Sequence, residues 1–150
     1  MALKLVTVNV QLGDNEFPIA FSSNALYDLE EKSGMTIQEA GLLLSMNRAG
    51  LRLLQLFLWA SLEGGRRRTN YRPKPFGVGE VGDLIDASGG PGQIWRAPIV
   101  DETTKAIVQD YHPVMKVMLQ AWEQAFPTPR KDDEPANPPP PAIGQPGQNS

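Results

Sequence analysis

Four groups of residues in this 150-residue chain have types and spacings that could do chemistry. His112, the only histidine, stands beside Pro113 with no second ligand in its motif. That setting suits capping or surface exposure better than catalysis. Asp83 and Asp86 could act as general acid and base or hold a cation. Three residues apart on a helix, they fit a solvated face instead. Gly77, Gly79 and Gly82 match GxGxxG, whose glycines let a backbone approach a pyrophosphate. The motif needs a strand before it and a full helix after it. Here a proline-bearing loop precedes it and only a short helix follows, so no nucleotide site is expected. The fourth group is basic. Arg66, Arg67, Arg68, Arg72 and Lys74 surround Tyr71. Cations interleaved with an aromatic can hold phosphates and stack a base, which makes this the candidate polyanion contact. The net charge of −3 gives no general attraction for nucleic acid or anionic lipid. These cations therefore read as a solubilising loop that offsets acidic helices, and nucleic acid is not an expected partner. Walker, Gly-x-Ser-x-Gly and HExxH motifs do not occur, and without cysteine neither disulfides nor thiolate metal sites can form. The expectation is a protein that is not an enzyme and holds no cofactor or metal.

The elements that would position these groups are organised around residues 47–65, NRAGLRLLQLFLWASLEGG. Only Arg52, Gln55 and Ser61 interrupt its apolar middle, so the segment reads as a helix buried on most sides, not as an amphipathic one. Asn47 is the expected N-cap and Gly64 the expected C′ residue. The apolar run is shorter than the roughly 20 residues a bilayer requires, and no membrane segment is expected. Before it, Val6, Val8, Val10 and Leu12 alternate with polar residues, and Phe17, Ile19 and Phe21 alternate again beyond Gly13-Asp14-Asn15. This predicts a β-hairpin, with Pro18 on an edge because it has no N–H to donate. A lone hairpin is barely stable in water, so it must pack on the helices or join another sheet. Ser23 or Asn24 should cap a helix ending near Lys32, with Leu26 and Leu29 inward and Asp28 paired to Lys32. Thr36 and Glu39 have capping-box spacing for the next helix.

Residues 64–77 read as a basic loop in which Pro73 and Pro75 forbid regular helix. A short helix over 79–87 follows, and the SGGPG of 88–92 breaks the chain. Ile94, Trp95, Ile99 and Val100 should cover the core from a loop or turn. From about Thr103 a helical period returns through Ile107, Tyr111, Val114, Met118 and Trp122. Pro113 either kinks that helix or starts a new one. After Phe126 the sequence turns to proline, with Ile143 the one sizeable apolar residue. Such a segment buries too little to offset its ordering entropy, and polyproline II character is expected at 138–141. The expected organisation is α+β: residues 1–126 form an N-terminal hairpin packed on four to five helices, and 127–150 form a proline-rich disordered tail.

In order, a hairpin leads into NALYDLEEKSG, TIQEAGLLL, LRLLQLFLWASLEGG, EVGDLID and a last helix ending in AWEQAFP. This order resembles the small tail assembly chaperones of long-tailed, siphovirus-type phages and of gene-transfer-agent-like elements. The resemblance covers most of residues 6–126. The arginine-rich loop, Pro113 and the proline tail depart from it. It implies a non-enzymatic protein of the host cytoplasm that binds the helical tape measure protein, keeps it in solution and helps recruit tail tube subunits. In many phages a ribosomal frameshift adds a C-terminal extension to some copies. The proline tail would be the linker toward it or the natural end. Met115, Met118, Trp122, Phe126 and Trp59 are the candidate partner-binding side chains, since spare apolar groups can seat amphipathic helices and methionine adapts to varied partners. Core packing is the alternative for each. The first-strand edge is a candidate surface for homo-oligomers. A structural minor tail or connector protein, and a nucleic-acid-binding module using the arginines, are the competing classes.

Overall fold

The computed structural model describes residues 6–127. All of the expected tail except Pro127 lies outside them. The chain begins with β1 (Val8–Leu12) and β2 (Asn15–Ile19), followed by α1 (Ser23–Ser33), α2 (Ile37–Ser45), α3 (Leu51–Thr69) and α4 (Val78–Ala87). A single turn, α5 (Pro91–Ile94), leads to a ribbon of β3 (Ile99–Val100) and β4 (Ile107–Gln109), and α6 (Pro113–Ala125) closes the domain. The architecture is the expected α+β one, a hairpin on a helical bundle, with a second ribbon added.

β1 and β2 are antiparallel, with Val10 opposite Phe17 and Leu12 opposite Asn15. The loop between them is Gly13-Asp14, with Gly13 at φ +62°, as a two-residue hairpin turn led by glycine requires. Val10, Leu12 and Ile19 are buried. The hairpin joins no other strand among the described residues and packs on α3 and α6 instead. The Thr36–Glu39 capping box forms in both directions, at 3.1 and 3.0 Å. At α1 the cap is Ser22, not Ser23 or Asn24: its Oγ accepts from the Ala25 N–H. Asp28 pairs with Arg67 of α3 at 2.8 Å rather than with Lys32.

Both expected ends of the central helix move. Asn47 does not start α3; it ends α2. At φ +56° it sits in a Schellman arrangement, with the Arg48 N–H bonded to Leu43 O and the Asn47 N–H to Leu44 O. The N-cap of α3 is Gly50. At the other end Gly64 does not terminate the helix, which runs on to Thr69 and stops at Asn70 in the left-handed conformation. Gly64 and Gly65 are there because β2 lies against them. A Cβ on Gly64 would come 1.9 Å from Ala20 O, and one on Gly65 1.9 Å from Pro18 O. Ala20 N–H also donates to the helix carbonyl of Ser61 at 3.0 Å. Thus Pro18 does lie on an edge, and that edge is pressed onto α3.

The core centres on an aromatic cluster. Phe21, Phe57 and Trp122 meet edge to face, with ring centroids 5.1–6.0 Å apart. Such geometry adds about 0.5–1.5 kcal/mol per pair beyond burial.

The helical period expected from Thr103 is not realised before Pro113. Asp101 accepts the Thr103 and Thr104 N–H groups at 2.8 and 2.9 Å. Lys105 takes φ +61°, and the Asp101 N–H reaches Ala106 O. This turn folds the β-branched pairs at 99–100 and 107–108 into a ribbon. Ile99 and Val100 are exposed instead of covering the core, a task left to the fully buried Ile94 and half-buried Trp95. Pro113 therefore starts a new helix, and His112 is its N-cap: Nδ1 accepts from the Val114 N–H at 3.1 Å.

Candidate partner interface

Arg66, Arg67 and Arg68 lie on the last turns of α3, not in a loop, and the loop proper is 70–77. Their position follows from Glu63, a carboxylate only 2% exposed at the buried end of the helix. Arg66 grips it with two bonds of 2.9 Å, and the Phe76 N–H donates to it at 2.7 Å. Burial pulls the Glu63 pKa upward. The Arg66 and Phe76 hydrogen bonds and the charges of Arg66 and Arg67 outweigh that pull and hold it below the ordinary value. The other backbone group of Phe76, its carbonyl, takes the Trp59 indole N–H at 2.8 Å. Two side chains of α3 thus tie down both polar groups of one loop residue. Arg72 stacks 4.0 Å above the Phe76 ring and pairs with Glu80 at 2.8 Å.

The basic cluster is therefore mostly structural. Arg66, Arg67 and Arg72 are engaged with carboxylates of the chain. Arg68, Lys74 and the 45%-exposed Tyr71 are what remains toward solvent. Three of the six candidate residues are thus engaged within the chain, and an intramolecular role agrees with their geometry.

The candidates on the last helix are also displaced. Met118 is fully buried, Met115 nearly so, and Trp59 belongs to the core. They pack inward because α6 sits among β1, α3 and α5, so its wide apolar run covers several neighbours at once. Trp122 is half-buried, wedged against α2, where a Cβ on Gly41 would stand 2.8 Å from its ring. Of the five expected contact residues only Phe126 is exposed, stacked on Trp122 at 4.6 Å. The outer edge of β1 pairs with no strand among the described residues.

The exposed apolar surface lies elsewhere. Ile99, Val100, Ile107 and Val108 stand 48–66% exposed on the β3–β4 ribbon. Successive strand residues point to opposite faces, so both faces of the ribbon carry aliphatic side chains. Its base is fastened by Gln109 donating to Ala97 O and Arg96 to Asp110 O. A sequence signal for it exists: two β-branched pairs flank a turn-forming Asp-x-Thr-Thr. The helical spacing of Ile107, Tyr111 and Val114 masked it. Leu42 and Met46, one turn apart on α2, and Tyr27 on α1 are exposed as well. Asp83 and Asp86 both face solvent on α4, and no helix among the described residues is long and apolar enough to cross a membrane. Comparison of the chain with protein-family models, with curated proteins and with solved structures finds no match in any of the three.

Proposed function

We propose that this protein is a non-enzymatic assembly chaperone of a long-tailed phage or phage-like element. It binds the helical tape measure protein in the host cytoplasm and assists tail tube assembly. One observation carries the binding role: four aliphatic side chains displayed on both faces of a ribbon whose base is anchored. A two-stranded ribbon has little stability of its own, and apolar surface of this kind marks an interaction site. The polar groups with chemical potential support the same reading by their local duties. His112 caps α6, Glu63 and Arg66 fix the 70–77 loop, and Arg72 pairs with Glu80. The order of elements, hairpin first and the buried α3 at the centre, supplies the resemblance that narrows a binding protein to this class.

Co-expression with a tape measure protein, which this reading expects to be encoded nearby, is the test. The pair should co-purify, and the partner should lose solubility when expressed alone. A variant carrying Val100→Ser, Ile107→Ser and Val108→Ser should keep the circular dichroism of the wild type and lose the complex. A partner equally soluble alone, or a complex that never forms, defeats the proposal. Stoichiometric recovery from purified particles would identify a structural tail component instead.

A further inference from the structure

Gln55 makes the one side-chain hydrogen bond between α3 and α4 among the described residues. Gln55 donates from Nε2 to Val78 O at 2.9 Å. It lies so close to α4 that a Cβ on Gly82 would stand 3.0 Å from that nitrogen. On either side of Gln55 the seam opens into a cleft. One, of about 370 Å³, is bordered by Lys32, Arg52, Leu56 and Val78. The other, of about 250 Å³, is bordered by Leu51, Asp83, Ile85, Asp86 and Trp95. Val78 and Ile85 are seven residues apart on one helix, so the two clefts together follow α4 for about 10 Å, two helical turns.

The groove is electrically polar along its length. Lys32 and Arg52 stand at one end, Asp83 and Asp86 at the other. Lys32 Nζ lies 5.1 Å from the centroid of the Trp59 ring, and Arg52 donates to the Lys32 carbonyl at 3.2 Å. The ion pairs among the described residues use none of these four charges. Between the two ends lies an apolar floor of Leu56, Val78 and Ile85, with the 62%-exposed Leu51 on the lip.

We infer that this groove docks an amphipathic helix of a partner protein, one that carries a carboxylate and a cation about seven residues apart beside its apolar stripe. Charge complementarity selects that occupant. An all-acidic helix meets Asp83 and Asp86, and an all-basic one meets Lys32 and Arg52. The sequence of 127–150 carries no apolar stripe of this kind, since Ile143 is its one sizeable apolar residue. A helix in a groove is read through anchors on one face, and the two clefts, about two turns apart along α4, suit a pair at i and i+7. The inference adds a second surface, beside the β3–β4 ribbon, to the helical-partner reading proposed above and rests on that reading.

Three synthetic amphipathic helices of about 18 residues, five turns, with the same apolar stripe test it. One carries Glu and Lys seven residues apart, one carries Glu at both places, and one carries Lys at both. Fluorescence anisotropy against the full chain should show the mixed helix binding at least about fivefold tighter than either other. That factor is what exposed charge pairs gained and like-charge contacts avoided supply together. All four groove charges are solvent-exposed, so reversing them leaves the core alone. Asp83→Lys with Asp86→Lys should switch the preference to the all-Glu helix. Lys32→Glu with Arg52→Glu should switch it to the all-Lys helix. Equal binding of the three, binding of none at millimolar concentration, or variants that do not switch would each overturn the groove. Intact selectivity with no capture of a tape measure protein discards the tail-assembly role and keeps the groove. Capture without selectivity discards the groove alone.

Discussion

Replacing Gly65 by alanine should destabilise the protein, although alanine is the better helix former. In an unobstructed helix interior the exchange gains about 0.8–1.0 kcal/mol. At position 65 the new Cβ would stand 1.9 Å from Pro18 O, 2.3 Å from Pro18 C and 2.8 Å from Ile19 Cα. All three are backbone atoms, so no rotamer change relieves the clash. β2 must move off α3, and the neighbouring Ala20 to Ser61 hydrogen bond is strained with it. Overpacking a tight core typically costs about 1–3 kcal/mol, occasionally more. A clash with backbone on every side puts the site at the upper end of that range, and subtracting the propensity gain from about 3 kcal/mol leaves an expected net loss of about 2 kcal/mol. Gly79 is the internal control: it sits in the first turns of α4 with nothing within 4 Å of the Cβ position. Gly79→Ala should therefore stabilise by up to about 1 kcal/mol. Urea titrations followed by far-UV circular dichroism give both midpoints at a common slope. Opposite signs support the close approach of β2 and α3. If Gly65→Ala raises the midpoint as Gly79→Ala does, the hairpin does not sit on this helix.

Glu63→Gln leaves Arg66 without its counter-charge and should cost about 3 kcal/mol, the low end for breaking a buried pair, because Arg66 keeps the Arg72 and Pro73 carbonyls. The urea midpoint reads it, and a change below about 0.5 kcal/mol would refute the Glu63–Arg66 tie; the residual stability should also lose less on acidification, since a lowered Glu63 pKa contributes above the ordinary carboxylate value and is lost as pH falls through the folded one. His112 has its pKa lowered by burial and by the Arg96 charge. Its neutral form is thus favoured in the folded state, and stability should fall as pH drops below about 6.5, when protonation also removes the Nδ1 acceptor that caps α6; thermal melts from pH 7.5 to 5 should show this slope reduced in His112→Asn, and an unchanged slope would deny the cap. Single- and double-stranded DNA should bind no tighter than micromolar at physiological salt, because three of the arginines are paired within the chain; nanomolar affinity lost in Arg68→Ala with Lys74→Ala would make those two residues a true nucleic-acid contact.

Much of the fold is legible in the sequence because its local signals are strong. Period-2 alternation through Val8, Val10 and Leu12, the Thr36–Glu39 box and the apolar density of 51–62 each specify an element without tertiary help. The boundaries that moved depended on packing. Gly64 carries the ordinary signature of a helix stop, and only the backbone of β2, more than forty residues earlier, shows why glycine is needed mid-helix. Asn47 is equally at home as an N-cap and as a left-handed C′ residue, and the chain uses it for the second. The ribbon escaped because Ile107, Tyr111 and Val114 mimic a helical face, while the Asp101 turn that forbids the helix is a side-chain-to-backbone device. The candidate site fared worse than the fold. A run of arginines looks like a surface until the buried Glu63 beneath it is seen, and a methionine-rich helix looks available until its neighbours are counted.

The burial of the apolar stripe on α6 follows from the hairpin's poverty. Two strands cannot bury Val10, Leu12 and Ile19 by themselves, and no third strand among the described residues helps them. α3 is committed to the β2 side, held there by Gly64 and Gly65. The β1 side must be closed by another helix, and α6 does so while also touching α3 and α5. Val114, Met115, Met118 and Ala121 form the one helical stripe that these contacts bury. A helix so engaged cannot release its apolar face to a partner without opening the core. The binding proposed above then rests on two other surfaces: the β3–β4 ribbon with its exposed aliphatics, and the groove along the α3–α4 seam, whose two clefts flank Gln55. Both can be altered at exposed positions without touching the aromatic centre of Phe21, Phe57 and Trp122, so loss of binding and loss of folding can be measured separately in this chain.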